Sequence, residues 1–280
     1  MDQELFNRKA SVQMGTIAIE GLRVQFKVEK NNDDAPNSAE VTVWNLARPT
    51  RERMLAAKSV PIMLNAGYGD EMSLLFMGDI LPLGISVARQ GPDWLTTFKA
   101  GDGLDSMRSD RISIKVPAGA DFKKTLMDLL GQFKKTDTKD AAAKISNGVT
   151  VLSDAITKFA SGTVLSGGAT TELNRLLKPS GLRASVQNGK MDISPIAGFV
   201  REVMVPALSP STGLIGSPEP TKDGFVKFKA LLRPQINVSR QVKITCESHP
   251  SGIFVTVHRL THIGDTRGQE WYTEIEGKIE

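Results

Sequence analysis

Arg23-Val24-Gln25-Phe26-Lys27-Val28 and Ala39-Glu40-Val41-Thr42-Val43-Trp44 decide how this chain reads, because both alternate apolar and polar residues with a period of two. Successive side chains of an extended strand point to opposite faces, so each run has one face for a core and one for water. Between them lies Asn31-Asn32-Asp33-Asp34-Ala35-Pro36-Asn37, a cluster of turn formers, and the two runs are predicted to form a hairpin.

Outward from this hairpin the same grammar continues. Pro49 is placed to open a short helix to about Ala57, in a first turn where its missing N–H does no harm. Strands are predicted at 60–66, 74–79, 84–89 and 94–100, punctuated by Gly67, Gly69, Gly78, Gly91 and Pro92. Many short strands with Gly/Pro turns suggest a closed or nearly closed barrel.

From about residue 102 to 196 the pattern becomes mixed. Arg111-Ile112-Ser113-Ile114-Lys115-Val116 alternates as a strand, and Phe122, Leu126, Leu129, Leu130 and Phe133 recur at helical spacing behind Asp121, an expected N-cap. Residues 135–169 are rich in Ala, Ser, Thr, Gly and Lys, with a loop expected at 162–168. A helix is predicted near 171–178, stopped by Pro179 and Gly181, followed by a hairpin turning on Asn188-Gly189. The last eighty residues return to strands, at 200–205, 225–232, 241–246, 252–258 and 271–276. The expected fold class is therefore β-rich α+β: barrel-like β domains at 1–105 and 199–280, with a small α+β domain at 106–198 between them.

Composition excludes several classes of function. With 40% hydrophobic and 24% charged residues the chain can bury a sizeable core. Its net charge of +4, from 35 Lys+Arg against 31 Asp+Glu, is too balanced to imply specific nucleic-acid binding. Only 3 Trp and 2 Tyr argue against a base-stacking platform. Lys123, Lys124, Lys134, Lys135 and Lys139 form a basic stretch, but Asp121, Asp128, Asp137 and Asp140 interrupt it, so a solvated face is expected. The single cysteine, Cys246, rules out an internal disulfide framework and sits in an alternating run as a buried small hydrophobe. No apolar run approaches the roughly 18 residues a membrane span needs. Met1-Asp2-Gln3-Glu4 is followed by no signal-peptide core, so assembly in a cytoplasm is expected.

A search for chemistry returns little. The three histidines, His249, His258 and His262, lie near the end of the chain. A metal site on His258, His262 and Asp265, serving a hydrolase, is conceivable, but no second cluster supports it. These side chains are expected instead to hydrogen-bond across a strand end and turn, with Asp265-Thr266-Arg267-Gly268 a turn carrying a surface ion pair. No phosphate-binding loop, dinucleotide fingerprint or nucleophile elbow is present. The expectation is a protein that is not an enzyme, with no catalytic residue, cofactor or metal.

Several ordered blocks do look specific together. Val41-Thr42-Val43-Trp44-Asn45-Leu46 ends a strand before the short helix; Leu64-Asn65-Ala66-Gly67-Tyr68-Gly69 ends the next; Leu75-Phe76-Met77-Gly78-Asp79-Ile80 follows. Towards the C-terminus stand Gly213-Leu214-Ile215-Gly216-Ser217-Pro218-Glu219, Ala230-Leu231-Leu232-Arg233-Pro234, His262-Ile263-Gly264-Asp265-Thr266-Arg267 and Trp271. In order and spacing these resemble the phage baseplate hub proteins, the family of the contractile-tail hub subunit, over roughly residues 5–110 and 200–278. Asn45 suits a turn or cap, Gly67 and Gly78 suit barrel corners, and Tyr68 can pack its ring while its hydroxyl stays wet.

The resemblance implies a homotrimeric ring of two barrel-like domains per chain, located in the virion at the tail baseplate. Six similar barrels would let a threefold spike meet a sixfold tube. The implied partners are a tail spike or needle protein, a tail tube or distal tube-adaptor protein, and other baseplate (wedge) proteins. No spike repeat or lysozyme-like segment is read in these residues, so puncture and wall digestion are expected on partners. A hub subunit of a phage-derived injection machine such as a tailocin would fit the same blocks. The connection at 213–218 is expected as an interface loop, since Leu214 and Ile215 would otherwise be exposed between Gly213 and Gly216.

Overall fold

The hairpin forms where the alternation places it. In the computed structural model β3 (Val24–Asn31) and β4 (Ser38–Trp44) pair antiparallel, with Val24 opposite Val43 and Glu29 opposite Ser38. Val24, Phe26 and Val28 with Val41 and Val43 turn to one side and are buried. The structure describes residues 7–32, 35–57, 60–104, 109–134, 136–146, 159, 161–199, 204–221 and 224–280.

The chain divides into two compact units, one of residues 1–102 with 201–280 and one of residues 103–200. The first unit opens with β1 (Arg8–Met14) and β2 (Ile17–Ile19), then β3 and β4, and helix α1 (Arg48–Ala56) with Pro49 in its first turn. Strands β5 (Pro61–Tyr68), β6 (Glu71–Gln90) and β7 (Asp93–Gly101) follow. Its C-terminal half holds β12 (Ala207–Leu208), β13 (Leu214–Pro220), β14 (Phe225–Leu231), β15 (Gln241–Cys246), β16 (His249–Asp265) and β17 (Trp271–Ile279).

Among the described residues these elements form one 13-stranded sheet, ordered β13-β14-β17-β16-β3-β4-β7-β6-β5-β1-β2, with β15 on β16 and β12 on β15. The hydrogen-bonded path ends at β13 and β2, so it does not close as a ring. Two apolar cores hang on this one sheet. The first gathers Val12, Phe26, Val41, Ile62, Phe76 and Phe98, and it recruits Leu232 and Trp271 from the C-terminal half. The second gathers Leu208, Phe228, Ile236, Val242, Val257 and Ile275. The two β halves therefore each have a core, while β3 and β16 carry the sheet across from one to the other.

The second unit pairs β8 (Arg111–Val116) with β9 (Thr163–Gly168) and β10 (Leu182–Gln187) with β11 (Lys190–Pro195). Its helices are α2 (Phe122–Leu130), α3 (Lys139–Ser146) and α4 (Ala169–Leu177). Asp121 caps α2 by accepting from the Lys124 amide at 2.6 Å. Leu126, Leu129, Leu173, Leu177 and Ile193 fill the core. Asn188 and Gly189 both take positive φ, as a two-residue hairpin with the strands' twist requires. Lys123, Lys124, Lys134 and Lys139 are exposed, and Lys135 lies outside the described residues.

Several expectations need correction. The separate strands at 74–79 and 84–89 are one long strand, β6, whose register against β7 shifts between Ile80 and Ile85. Gly84 marks that bulge: a Cβ there would lie 2.5 Å from the Lys99 carbonyl oxygen. The loop expected at 162–168 is largely strand β9, because β8 needs a partner that local composition does not reveal. Helix α3 falls inside the stretch read only by its composition. The strand expected at 200–205 falls on residues 200–203, which lie outside the described residues, while Met204 and Val205 are not in a strand. The strand expected to end at 258 continues to Asp265, paired on both sides by β3 and β17.

Candidate assembly surfaces

Arg23 stands just before β3 and joins two residues that the sequence singled out separately. Its guanidinium lies 4.4 Å from the centre of the Trp44 ring and makes a two-point ion pair with Asp265, at 3.1 and 2.7 Å. Asp265 is buried, not the surface partner of a local turn as expected, and it also accepts from the Arg267 amide at 2.9 Å. Burial acts to raise its carboxyl, but Arg23 and the amides of Arg267 and Gly268 outweigh that and hold it below the usual range. Next to it, Thr266 Oγ1 accepts from the Val24 amide at 3.0 Å. The turn after β16 is thus riveted to the start of β3.

Asn45 follows β4 directly and fixes the chain just beyond Trp44. It sits at φ +54, accepts at Oδ1 from the Trp94 amide (3.0 Å), and donates from Nδ2 to Asp93 (2.8 Å). Asparagine tolerates this left-handed conformation better than most residues.

Trp271 packs edge-on against Phe26, centroids 5.4 Å apart, and against Tyr68 at 6.4 Å. The Tyr68 hydroxyl, expected to remain wet, is buried, and burial pushes it up to about 12. Gly67 and Gly78 are required by close approach. A Cβ on Gly67 would meet the Glu71 carbonyl oxygen at 2.0 Å, and one on Gly78 would meet that of Gly101 at 2.6 Å.

The connection at 213–218 is mostly strand β13, the edge of the sheet. Gly213 and Gly216 have positive φ, and the register against β14 slips between Ile215 and Glu219. Leu214 turns inward and is buried, whereas Ile215 is 42% exposed. Ile215 and Gly216 border a groove of about 470 Å³ that Lys229, Arg259 and Glu274 also line. Four of its charged side chains are paired across strands, Lys229 with Glu274 at 3.2 Å and Lys227 with Glu276 at 3.4 Å.

The histidines are not gathered for metal chemistry. A bulge between Val257 and Arg259 breaks the alternation of β16; His258 stacks edge-on with Phe225 at 4.9 Å, while His262 is buried with Nδ1 2.9 Å from Thr273 Oγ1. Among the described residues no group of three or more His, Cys, Asp or Glu could hold a metal ion, and no helix is long and apolar enough to cross a membrane.

Arg23 and Phe26 carry much of this architecture and were not legible as special. Each looks like an ordinary member of an alternating run, and its partner, Asp265 or Trp271, lies more than two hundred residues along the chain.

The sequence model of one family, described as baseplate hub gp41, matches residues 8–277. No curated protein matches in sequence. Among solved structures, a tail protein from Neisseria meningitidis MC58 superposes with a TM-score of 0.66 at 8% identity, covering 98% of this chain and 97% of that one. The 43 kDa tail protein of prophage MuSo2 from Shewanella oneidensis gives 0.61 at 10% identity, covering 97% and 96%. The E. coli c3393 protein, described as a component of the type VI secretion system with structural similarity to T4 phage tail proteins gp27 and gp5, gives 0.58 at 10% identity, covering 96% and 76%. These likenesses are of fold.

Proposed function

This chain belongs to the baseplate hub gp41 family, a structural component of phage tails, and on that premise we propose that it forms a trimeric ring joining a sixfold tail tube to a threefold spike. The observation that carries the proposal is the pair of apolar cores strung on one sheet. Two β bodies per chain, at 1–105 and 199–280, give six per trimer. Identical subunits in a cyclic trimer meet through heterologous interfaces that close, so the ring can face threefold and sixfold partners on its two sides.

The partners in this reading are the spike or needle protein, the tube or its distal adaptor, and the surrounding wedge proteins. The chain acts in the virion as a scaffold and not as an enzyme, and it assembles in the host cytoplasm. The exposed Ile215 at the sheet edge supports an interface role for the β13 region, whereas Trp44, Asn45, Gly67, Tyr68, Gly78, Leu214, Asp265 and Trp271 are read as structural positions that hold the fold for assembly.

Size-exclusion chromatography with light scattering on the purified chain tests this. A trimer, or a monomer that trimerises with its spike, is expected; a stable dimer, or a copy number other than three per tail, overturns it. The fold shared with the c3393 protein favours a second reading, a hub subunit of a phage-derived injection machine. Capsid and terminase genes beside this gene would decide for a phage.

A further inference from the structure

Lys30 lies on the inward side of β3 with Val24, Phe26 and Val28, and no hydrogen-bond partner reaches its ammonium. The registers of five strands define what surrounds it. Lys30 is opposite Leu260 on β16, and His262, two residues further on, is opposite both Val28 and Thr273. On the other side Glu29 pairs with Ser38, which brings Asn37 beside Lys30. The Asn37 side-chain amide donates to the Asp102 carboxylate at 3.5 Å. Asp102, Asn37, Lys30, His262 and Thr273 are all buried, so a polar band crosses the sheet from β7 to β17.

The band runs where the two cores meet. Val28, Ala39, Ala100 and Trp271 belong to the first core, whereas Leu260 and Ile275 belong to the second. Among the described residues, β3 and β16 are the strands that join the two halves of the sheet. The least apolar part of the interior therefore coincides with the seam between the halves.

We propose that Lys30, His262 and Asp102 form a proton-operated joint between the two β halves, looser when Lys30 is charged and tighter when it is neutral. A buried ammonium without an acceptor is costly, whereas the neutral amine is tolerated. Burial lowers the Lys30 pKa from 10.5 to about 8 against the opposing field of Asp102. His262 is held neutral, first by its burial and then by Lys30. Asp102 and His262 are the ionisable groups in the band, while Asn37 from β4 and Thr273 from β17 carry no charge. When the seam opens, water restores the ordinary affinity of Lys30 for its proton. The open form then keeps a proton that the closed form sheds, so rising pH between about 8 and about 10.5 favours the closed form.

Native-state hydrogen exchange at the β3 and β16 amides of the full chain, corrected for intrinsic exchange, tests the joint. From about pH 7 to about pH 9.5 the opening constant is expected to fall about 30-fold in the wild type. In Lys30→Met it should no longer vary with pH. No fall in the wild type, or an equal fall in both proteins, overturns the proposal. If Lys30→Met does not fold, lysine-selective NMR titration of the wild type decides. One Cε resonance with a midpoint near 8 upholds the joint, and all lysines titrating above about 10 overturn it.

Discussion

Arg23 and Asp265, 242 residues apart in the chain, meet in a two-point ion pair that fastens the turn after β16 to the start of β3. The carboxylate is buried while the guanidinium is partly open to solvent and rests on Trp44. This is where the two ends of the chain are sewn together, ahead of the edge-to-edge pairing that follows along β3 and β16.

Asp265→Asn should accordingly destabilise the fold by about 2 kcal/mol at neutral pH. That is below the range for a fully buried pair, because water screens Arg23. The Asp265 carboxyl is held below its ordinary pKa, so its contribution is present above about pH 4 and lost as pH falls through the lower folded value. Thermal melts across acid pH should show the wild type converging on Asp265→Asn. Parallel curves would show that the pair does not contribute in this way.

Gly67 and Gly69 look interchangeable in sequence but not in space. An added Cβ at Gly67 meets the Glu71 carbonyl oxygen at 2.0 Å, whereas at Gly69 it meets nothing and only the φ of +56 opposes it. Gly67→Ala should cost more than about 2 kcal/mol because the β5–β6 corner must part, and Gly69→Ala about 1 kcal/mol. Chemical denaturation of the two variants ranks them, and the reverse order would show that the corner yields.

Asn45 combines a left-handed backbone with two side-chain hydrogen bonds, and substitution can separate the two. Asn45→Gly keeps the conformation and loses the bonds, for about 1 kcal/mol; Asn45→Ala loses both, for about 2 kcal/mol. Equal midpoints for the two variants in urea would mean that the backbone carries no strain.

How much was legible follows from the range of each interaction. The period-two runs at β3, β4, β7, β14, β15 and β17, the capped α2 and the Asn188-Gly189 hairpin are written in neighbouring residues, and the structure has them there. What escaped is set by distant partners. Strand β9 exists because β8 is alongside, and β16 runs on to Asp265 because β3 and β17 flank it. Arg23 and Lys30 occupy ordinary positions in or beside one alternating run, yet one is an anchor and the other a buried charge, a difference made by residues far along the chain. At the candidate surfaces the sequence identified glycines by family resemblance, but the close contacts that demand them belong to the folded corner.

Leu214 and Ile215 adjoin in the chain but face opposite ways, one buried and one 42% exposed at the sheet edge. A substitution on each therefore separates folding from assembly. Leu214→Ala removes buried methyl groups and should cost about 2–3 kcal/mol. Ile215→Asp places a charge in solvent beside Lys229 and should leave the melting temperature within about 2 °C of the wild type. If the β13 edge lies between subunits, the same aspartate must be buried or must hold the subunits apart, and trimer formation should weaken at least about tenfold. Light scattering over a dilution series, run beside melting curves, reads both effects. An Ile215→Asp protein that melts and trimerises like the wild type would take this edge out of the subunit contact, leaving its apolar residue to face another component of the tail.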